Sequence, residues 1–218
     1  AYQRMAHPDG EIGTALAASA QQAGLVLSTQ ASTPLEAVAD AIRNDPDRGP
    51  LWFQLYLQHD RGFNLELIRR AEAAGYDSFL IPDSVAYPEE SDSRYPFTED
   101  GSREFLEDKP ILEPFALVSA LAMVTERIGF TISVLKLPIR HPVHTAKLAA
   151  SAAVLSNNRL TLGVGVSPWP EDYAVTGTPW ANRGKRMDEC IDIIRGLTTG
   201  DYFEYHGEFY DIPKTKMT

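Results

Sequence analysis

Residues 128–167, IGFTISVLKLPIRHPVHTAKLAASAAVLSNNRLTLGVGVS, constrain the fold more than any other stretch. Ile128 to Leu137 is an apolar, β-branched run closed by Pro138, the pattern of a buried strand. From Pro142 to Leu155 the period becomes helical, with Leu148, Ala149, Ala152 and Leu155 on one stripe. Asn157-Asn158 breaks that helix. Leu160 to Val166 is a second apolar strand, carrying Gly163 and Gly165 and followed by Ser167. Strand, helix and strand within this length make a βαβ unit, which requires a parallel sheet and a right-handed crossover. Ligands of parallel α/β sheets sit beyond the carboxyl ends of the strands. Lys136 to His141 and Val166 to Asp172 therefore fall on the functional rim.

The preceding chain repeats the same unit. Ile12, Ala15, Leu16, Ala20 and Ala23 predict a helix ending at Gly24. Thr33-Pro34-Leu35-Glu36 reads as a capping box opening the next helix, with Leu35, Val38, Ala39 and Ile42 as its apolar stripe. Further helices are expected from Asn64 to Ala74, closed by Gly75, and from Leu112 to Glu126. Strands are predicted at 25–29, 51–57, 77–82, 128–137 and 159–166. Between Ser84 and Pro110 the rhythm lapses into an acidic loop interleaved with Tyr87, Tyr95, Phe97 and Phe105. A loop of this length is either a functional lid or a solvated excursion. A last amphipathic helix is expected over Arg183–Leu197, then a hairpin turning at His206-Gly207. Five parallel strands suit an open doubly wound sheet or part of a (β/α)8 barrel, and pattern alone does not separate them.

Composition closes off several classes. Twenty basic against 30 acidic residues leave a net charge of −10, which argues against a nucleic-acid surface. No apolar run approaches the ~18 residues of a membrane span, and no secretory signal is expected. The single cysteine, Cys190, shares a helical stripe with Met187, Ile191 and Ile194, so packing is its expected role and the cytoplasm the expected compartment.

Motifs narrow the chemistry. Gly163-Val164-Gly165 begins like a dinucleotide fingerprint, but Pro168 stands where the third glycine belongs, and PWPEDY is not expected to start the required helix. His141 and His144 have HxxH spacing without a third ligand nearby, so no metal site is expected. Gln54 and Tyr56, two apart on one strand, share a face and need polar partners if buried. Asp83 ends its strand on the rim.

Two resemblances add to this reading. Residues 3–76, with QRMAHPDGEIGTALAASAQQAGLVLSTQASTPLEAVA and GPLWFQLYLQHDRGFNLELIRRAEAAGY, resemble the FMN-dependent 2-hydroxy acid dehydrogenases and oxidases. Residues 77–218, with DSFLIPDSVAYPEE, MVTERIGFTISVLKLPIRHPVHTAKLAASAAVLSNNRLTLGVGVS and RGKRMDECIDIIRGL, resemble the luciferase-like flavin or deazaflavin oxidoreductases. Both families are (β/α)8 barrels. The resemblance therefore implies one barrel-derived α/β domain over 1–218, partial or chimeric, with FMN or coenzyme F420 as cofactor and a small-molecule substrate. It assigns Ser28 and Gln54 to flavin contact and Tyr56 to the substrate. Homo-oligomeric assembly is expected separately, because an incomplete set of strands leaves open edges. Ser133, a small polar residue in an apolar strand, marks a bulge at Ser133-Val134 against which a flavin ring would rest. The luciferase-like resemblance adds a non-prolyl cis peptide there, and the alternative is an ordinary trans strand. Asp83 at its strand end is the candidate catalytic carboxylate, and the turn carrying Gly163, Gly165 and Ser167 can offer backbone N–H groups to a cofactor phosphate. Two departures stand out: no HGGRQ-type motif supplies a catalytic His and Arg, and Asp83 is followed by Ser84 where the luciferase-like pattern has His. The implied activity is hydride transfer between a flavin or deazaflavin and a small organic substrate. The alternatives are a 2-hydroxy acid oxidase and a scaffold without catalysis.

Overall fold

The computed structural model describes residues 2–96 and 98–218; Phe97 of the expected lid, and the side chain of Phe105, lie outside what is described. Five strands, β1 (Leu25–Ser28), β2 (Leu51–Gln54), β3 (Ser78–Ile81), β4 (Gly129–Lys136) and β5 (Leu160–Gly165), form one parallel sheet in the order β1-β2-β3-β4-β5. That order decides between the two architectures. A doubly wound sheet reverses direction at a switch point, whereas here every strand neighbours its successor, as in a barrel. Repeated right-handed crossovers in one direction put all connecting helices on one face. The sheet is the barrel wind without closure.

The helix-facing side holds the core. Leu27, Phe53, Phe79 and Phe130 are register partners across four strands, each at most 2% exposed. Phe53 meets Phe79 edge-on and Phe79 stacks on Phe130, with centroids 6.2 Å apart in both pairs. Behind them pack α2 (Leu35–Ile42), α3 (Arg61–Ala74), α4 (Pro114–Ala122) and α5 (Pro142–Leu155), through Val38, Ile68, Val118 and Ala149. The neighbouring residues on the opposite, concave face include Ser28, Gln54 and Thr131, all only half-buried.

Several local expectations change. Helix α1 spans Gly10–Ala20 and stops before Gly24, because Gln22 takes the left-handed conformation and the Ala23 N–H returns to the Ala18 carbonyl. The Thr33–Glu36 capping box does not form: Thr33 donates to Glu11 Oε2 at 2.8 Å, and Glu36 pairs with Arg70 at 2.6 Å. Helix α4 is shorter than 112–126, since Pro114 occupies its first turn and the Glu113 carboxylate caps the Ala116 N–H. On α5 the buried residues are Pro142, Thr145, Ala146, Ala149 and Ala152, while Leu148 and Leu155 face solvent. PWPEDY does start a helix, α6 (Pro170–Thr176), with Pro170 in its first turn. Helix α7 (Arg183–Leu197) and a hairpin of β6 (Phe203–His206) and β7 (Asp211–Thr215) follow. The hairpin turns through 207–210 rather than at 206–207, because the Glu189 carboxylate on α7 accepts the N–H groups of Glu208, Phe209 and Tyr210.

Strands β1 and β5 each have one sheet neighbour among the described residues. Their outer edges present unpaired N–H and C=O groups, and Val26 on β1 is 42% exposed. Unpaired edges promote association. Light scattering after gel filtration should therefore return at least twice the mass of a single chain; a monomer at high concentration would show the edges to be self-protected.

Candidate active site at the carboxyl rim of the sheet

All the expected site residues except Gly163 line two cavities at the carboxyl ends of the strands. The first, of about 380 Å³, gathers Ser28 from the end of β1 with Gln54 and Tyr56 from the end of β2, against apolar walls that include Leu57, Ile111 and Leu112. Thr29 ties these strand ends together. Its Oγ1 donates to the Gln54 carbonyl at 2.8 Å and accepts the Tyr56 N–H at 3.0 Å. Tyr56 thus lies just beyond β2 instead of within it, and stays 36% exposed. Burial and the neighbouring Tyr95 phenol push its own phenol above the usual value, so it keeps its proton as a hydrogen-bond donor.

The second cavity, of about 530 Å³, holds Asp83, Ser133, Val134, Gly165 and Ser167, with Arg183 on its wall; Pro82 lines both cavities. The Ser133–Val134 peptide is cis, and the register against β5 shifts between Ile132 and Leu135, so the bulge stands at the expected position. Gly163 lines neither cavity. A Cβ there would lie 2.7 Å from the Ile132 carbonyl oxygen, so the glycine lets β5 approach the bulged strand. At Gly165 a Cβ would meet Val134 Cγ2 at 2.9 Å.

Asp83 is more enclosed than its place on the rim suggests. Its side chain is 1% exposed, Oδ1 accepts from Arg140 at 2.7 Å and Oδ2 accepts the Lys136 N–H at 2.9 Å. Arg140 also reaches Glu113 at 3.4 Å. The Lys136 side chain pairs with buried Asp172 at 2.7 Å, and Asp172 in turn accepts the Ser167 hydroxyl at 2.5 Å. Ser167 is therefore committed to the turn after β5, where it takes φ of 51°. The rim stretches around Lys136 and Asp172 were legible in sequence as strand ends. Their pairing was not, because 36 residues separate the partners.

The acidic loop 84–110 folds over this rim. Ser91 and Ser93 donate to the Glu171 carboxylate on α6, Ser93 at 3.0 Å. Arg103 stacks 4.0 Å from the Trp169 ring centroid and reaches Glu171 at 3.6 Å, and Tyr95 packs on Trp169 with centroids 6.2 Å apart. Away from the rim, His141 sits 5.6 Å from His144 and 5.8 Å from Tyr210, ring to ring. Among the described residues no group of three or more His, Cys, Asp or Glu could hold a metal ion. None of the described helices is long and apolar enough to cross a membrane. Cys190 is fully buried on α7, beside the Tyr210 hydroxyl.

The comparisons with known proteins bear on this rim. The family model for luciferase-like monooxygenases matches residues 21–218. The chain belongs to the luciferase-like monooxygenase family. It is 64% identical over 159 residues to the uncharacterized protein Rv0940c of Mycobacterium tuberculosis, a match covering 73% of this chain and 55% of that protein. The chain thus spans about half the length of the curated relatives it matches. It is also 53% identical over 81 residues to an L-lactate oxidase of Alicycliphilus denitrificans, covering 37% of this chain and 21% of that protein. The luciferase-like fold is similar to that of the oxygenating constituent of 3,6-diketocamphane monooxygenase from Pseudomonas putida, solved in complex with FMN. The TM-score there is 0.55 at 20% identity, over 74% of this chain and 43% of that one. Both sequence resemblances, to the luciferase-like family and in part to the hydroxy acid oxidases, are thereby found.

Proposed function

We propose that this luciferase-like chain is a flavin- or deazaflavin-dependent oxidoreductase that transfers a hydride between FMN or coenzyme F420 and a small organic substrate. The observation that supports the reading is a pair of cavities with Pro82 in both walls, one lined by Ser28, Gln54 and Tyr56 and the other by Ser133, Val134 and Ser167. The residues fit a flavin. Donors and acceptors line one side, the β4 bulge offers a shelf, and the buried Nε of Arg183 lacks a partner among the described residues. A bound flavin would supply the electron pair of the reaction.

The remaining work falls to the chain. The Ser28 hydroxyl and Gln54 amide hydrogen-bond the polar edge of a ring system, and Val134, 46% exposed, offers it an apolar contact. Tyr56, kept protonated, donates a hydrogen bond to a substrate oxygen. Asp83 has both oxygens occupied and acts as a positioning residue, aligning the end of β4 through Lys136 and Arg140. The 84–110 loop, fastened to α6, excludes water from the rim.

The open sheet leaves the concave side of the site wet, so cofactor burial is partial. Titration with FMN, followed by fluorescence quenching, should give micromolar binding or weaker. Nanomolar binding would overturn the picture of a half-enclosed site, and no binding of either FMN or the deazaflavin would leave a scaffold without catalysis. The L-lactate oxidase match favours a second reading as a 2-hydroxy acid oxidase. L-lactate should nonetheless fail to bleach bound FMN, because no HGGRQ-type His is present to take the substrate proton.

A further inference from the structure

Arg183 opens α7 and lies on the wall of the second cavity. Its guanidinium carbon stands 3.8 Å from the ring centroid of Trp180, a stack that fixes the plane of the fork. Its Nε is buried without a hydrogen-bond partner among the described residues. The other cations of this rim are matched by carboxylates: Lys136 by Asp172, Arg103 by Glu171, and Arg140, whose Nε is likewise without a partner among the described residues, by Asp83 and Glu113 through its terminal nitrogens. No carboxylate among the described residues pairs with Arg183, although the chain carries 30 acids against 20 bases.

A guanidinium Nε–H closed off from water without a partner is costly even where the rest of the side chain is only half-buried, and an arriving oxyanion repays that cost with charge-assisted hydrogen bonds. We infer that Arg183 is the anion-recognising residue of this cavity, receiving the phosphate ester or carboxylate of its ligand. Asn182 provides no side-chain cap, so the first N–H groups of the 15-residue α7 add positive potential on the same side. Ser133, on the same cavity, adds a hydroxyl. The inference rests on the second cavity being a ligand site and not on that ligand being a flavin.

Inorganic phosphate is the first probe. Thermal unfolding in sodium phosphate, against sodium chloride at equal ionic strength, should show a saturable rise of the midpoint for the wild type. Arg183→Met, which keeps the aliphatic stem on Trp180, should need at least tenfold more phosphate for the same rise. Arg183→Lys, keeping charge but not the fork, should fall between them, and it serves as the test should the methionine variant not fold. Titrations with FMN and riboflavin then distinguish the source. If FMN binds at least tenfold tighter than riboflavin and Arg183→Met abolishes that gap, the anion is the cofactor's phosphate. If the two flavins bind alike in both proteins while the phosphate effect still depends on Arg183, the anion belongs to the substrate. Loss of the phosphate effect with no flavin binding at all would keep this inference and remove the flavin reading. A folded Arg183→Met or Arg183→Lys variant that responds to phosphate as the wild type does, or a wild type indifferent to phosphate, would overturn it.

Discussion

Replacing Lys136 by methionine should destabilise the fold by about 3–5 kcal/mol, the cost of breaking a buried ion pair from one side. The Lys136 and Asp172 side chains are 11% and 6% exposed, and their charged atoms are 2.7 Å apart. Methionine fills much of the lysine volume, so the loss comes from the Asp172 carboxylate, left buried with the Ser167 hydroxyl as its remaining side-chain donor. The pair also joins the end of β4 to α6, so its loss should loosen the turn that holds Trp169 and, through it, the lid. Taking a urea slope of about 2 kcal/mol/M, the unfolding midpoint should fall by about 2 M. The double variant Lys136→Met/Asp172→Leu should recover most of that loss, because an apolar pair of similar volume leaves no orphaned charge. A single-variant cost below about 1 kcal/mol would show that Asp172 finds water or another partner.

The second large effect is an acid dependence centred on Glu11. This residue is 1% exposed, and no ion pair among the described residues includes it. Burial alone would raise its carboxyl. The N–H and hydroxyl of Ser32, the Thr33 hydroxyl and the Gln3 N–H outweigh burial and hold it down at about 2, against an ordinary value of about 4.5. A folded-state value below the unfolded one contributes stability that is fully present above pH 4.5 and is lost as the pH falls through 2. A difference of this size corresponds to about 3 kcal/mol. Glu11→Gln cannot ionise, so its stability should lose about one proton's worth less slope than the wild type between pH 4.5 and 2. Parallel urea titrations across that range decide the matter, and equal slopes would mean that the carboxylate is not held by these donors. Glu11 joins α1 to the chain entry at Gln3 and to the loop after β1, so the wild type should open there first in acid.

Glu11 also shows where sequence reasoning stops. Thr33 and Glu36 have the spacing of a capping box, and spacing is local. The structure sends Thr33 to Glu11, 22 residues away, and Glu36 to Arg70, 34 residues away, because the tertiary fold offers each a better-placed partner. The site divides in the same way. Ser28, Gln54 and Tyr56 meet in one cavity because parallel register places the ends of β1 and β2 side by side, as repeated βα units require. Arg183 and the pairing of Lys136 with Asp172 carried no local signal: a basic residue at a helix start and a Lys at a strand end are common features whose partners depend on how the rim closes.

The amino-acid pattern alone determined that this chain is built of repeated βα units with a parallel sheet. Apolar runs of strand length alternating with amphipathic helices have no other compact arrangement that buries both. It also determined that the candidate site residues stand at the carboxyl ends of those strands. Whether the sheet is doubly wound or follows barrel order was decided only by tertiary structure, since the same alternation satisfies both and the choice lies in which strand pairs with which. The same holds for the enclosure of Asp83, the committed hydroxyl of Ser167 and the unpaired guanidinium of Arg183. Each depends on contacts across the rim between residues far apart in the chain, and local periodicity carries no information about those contacts.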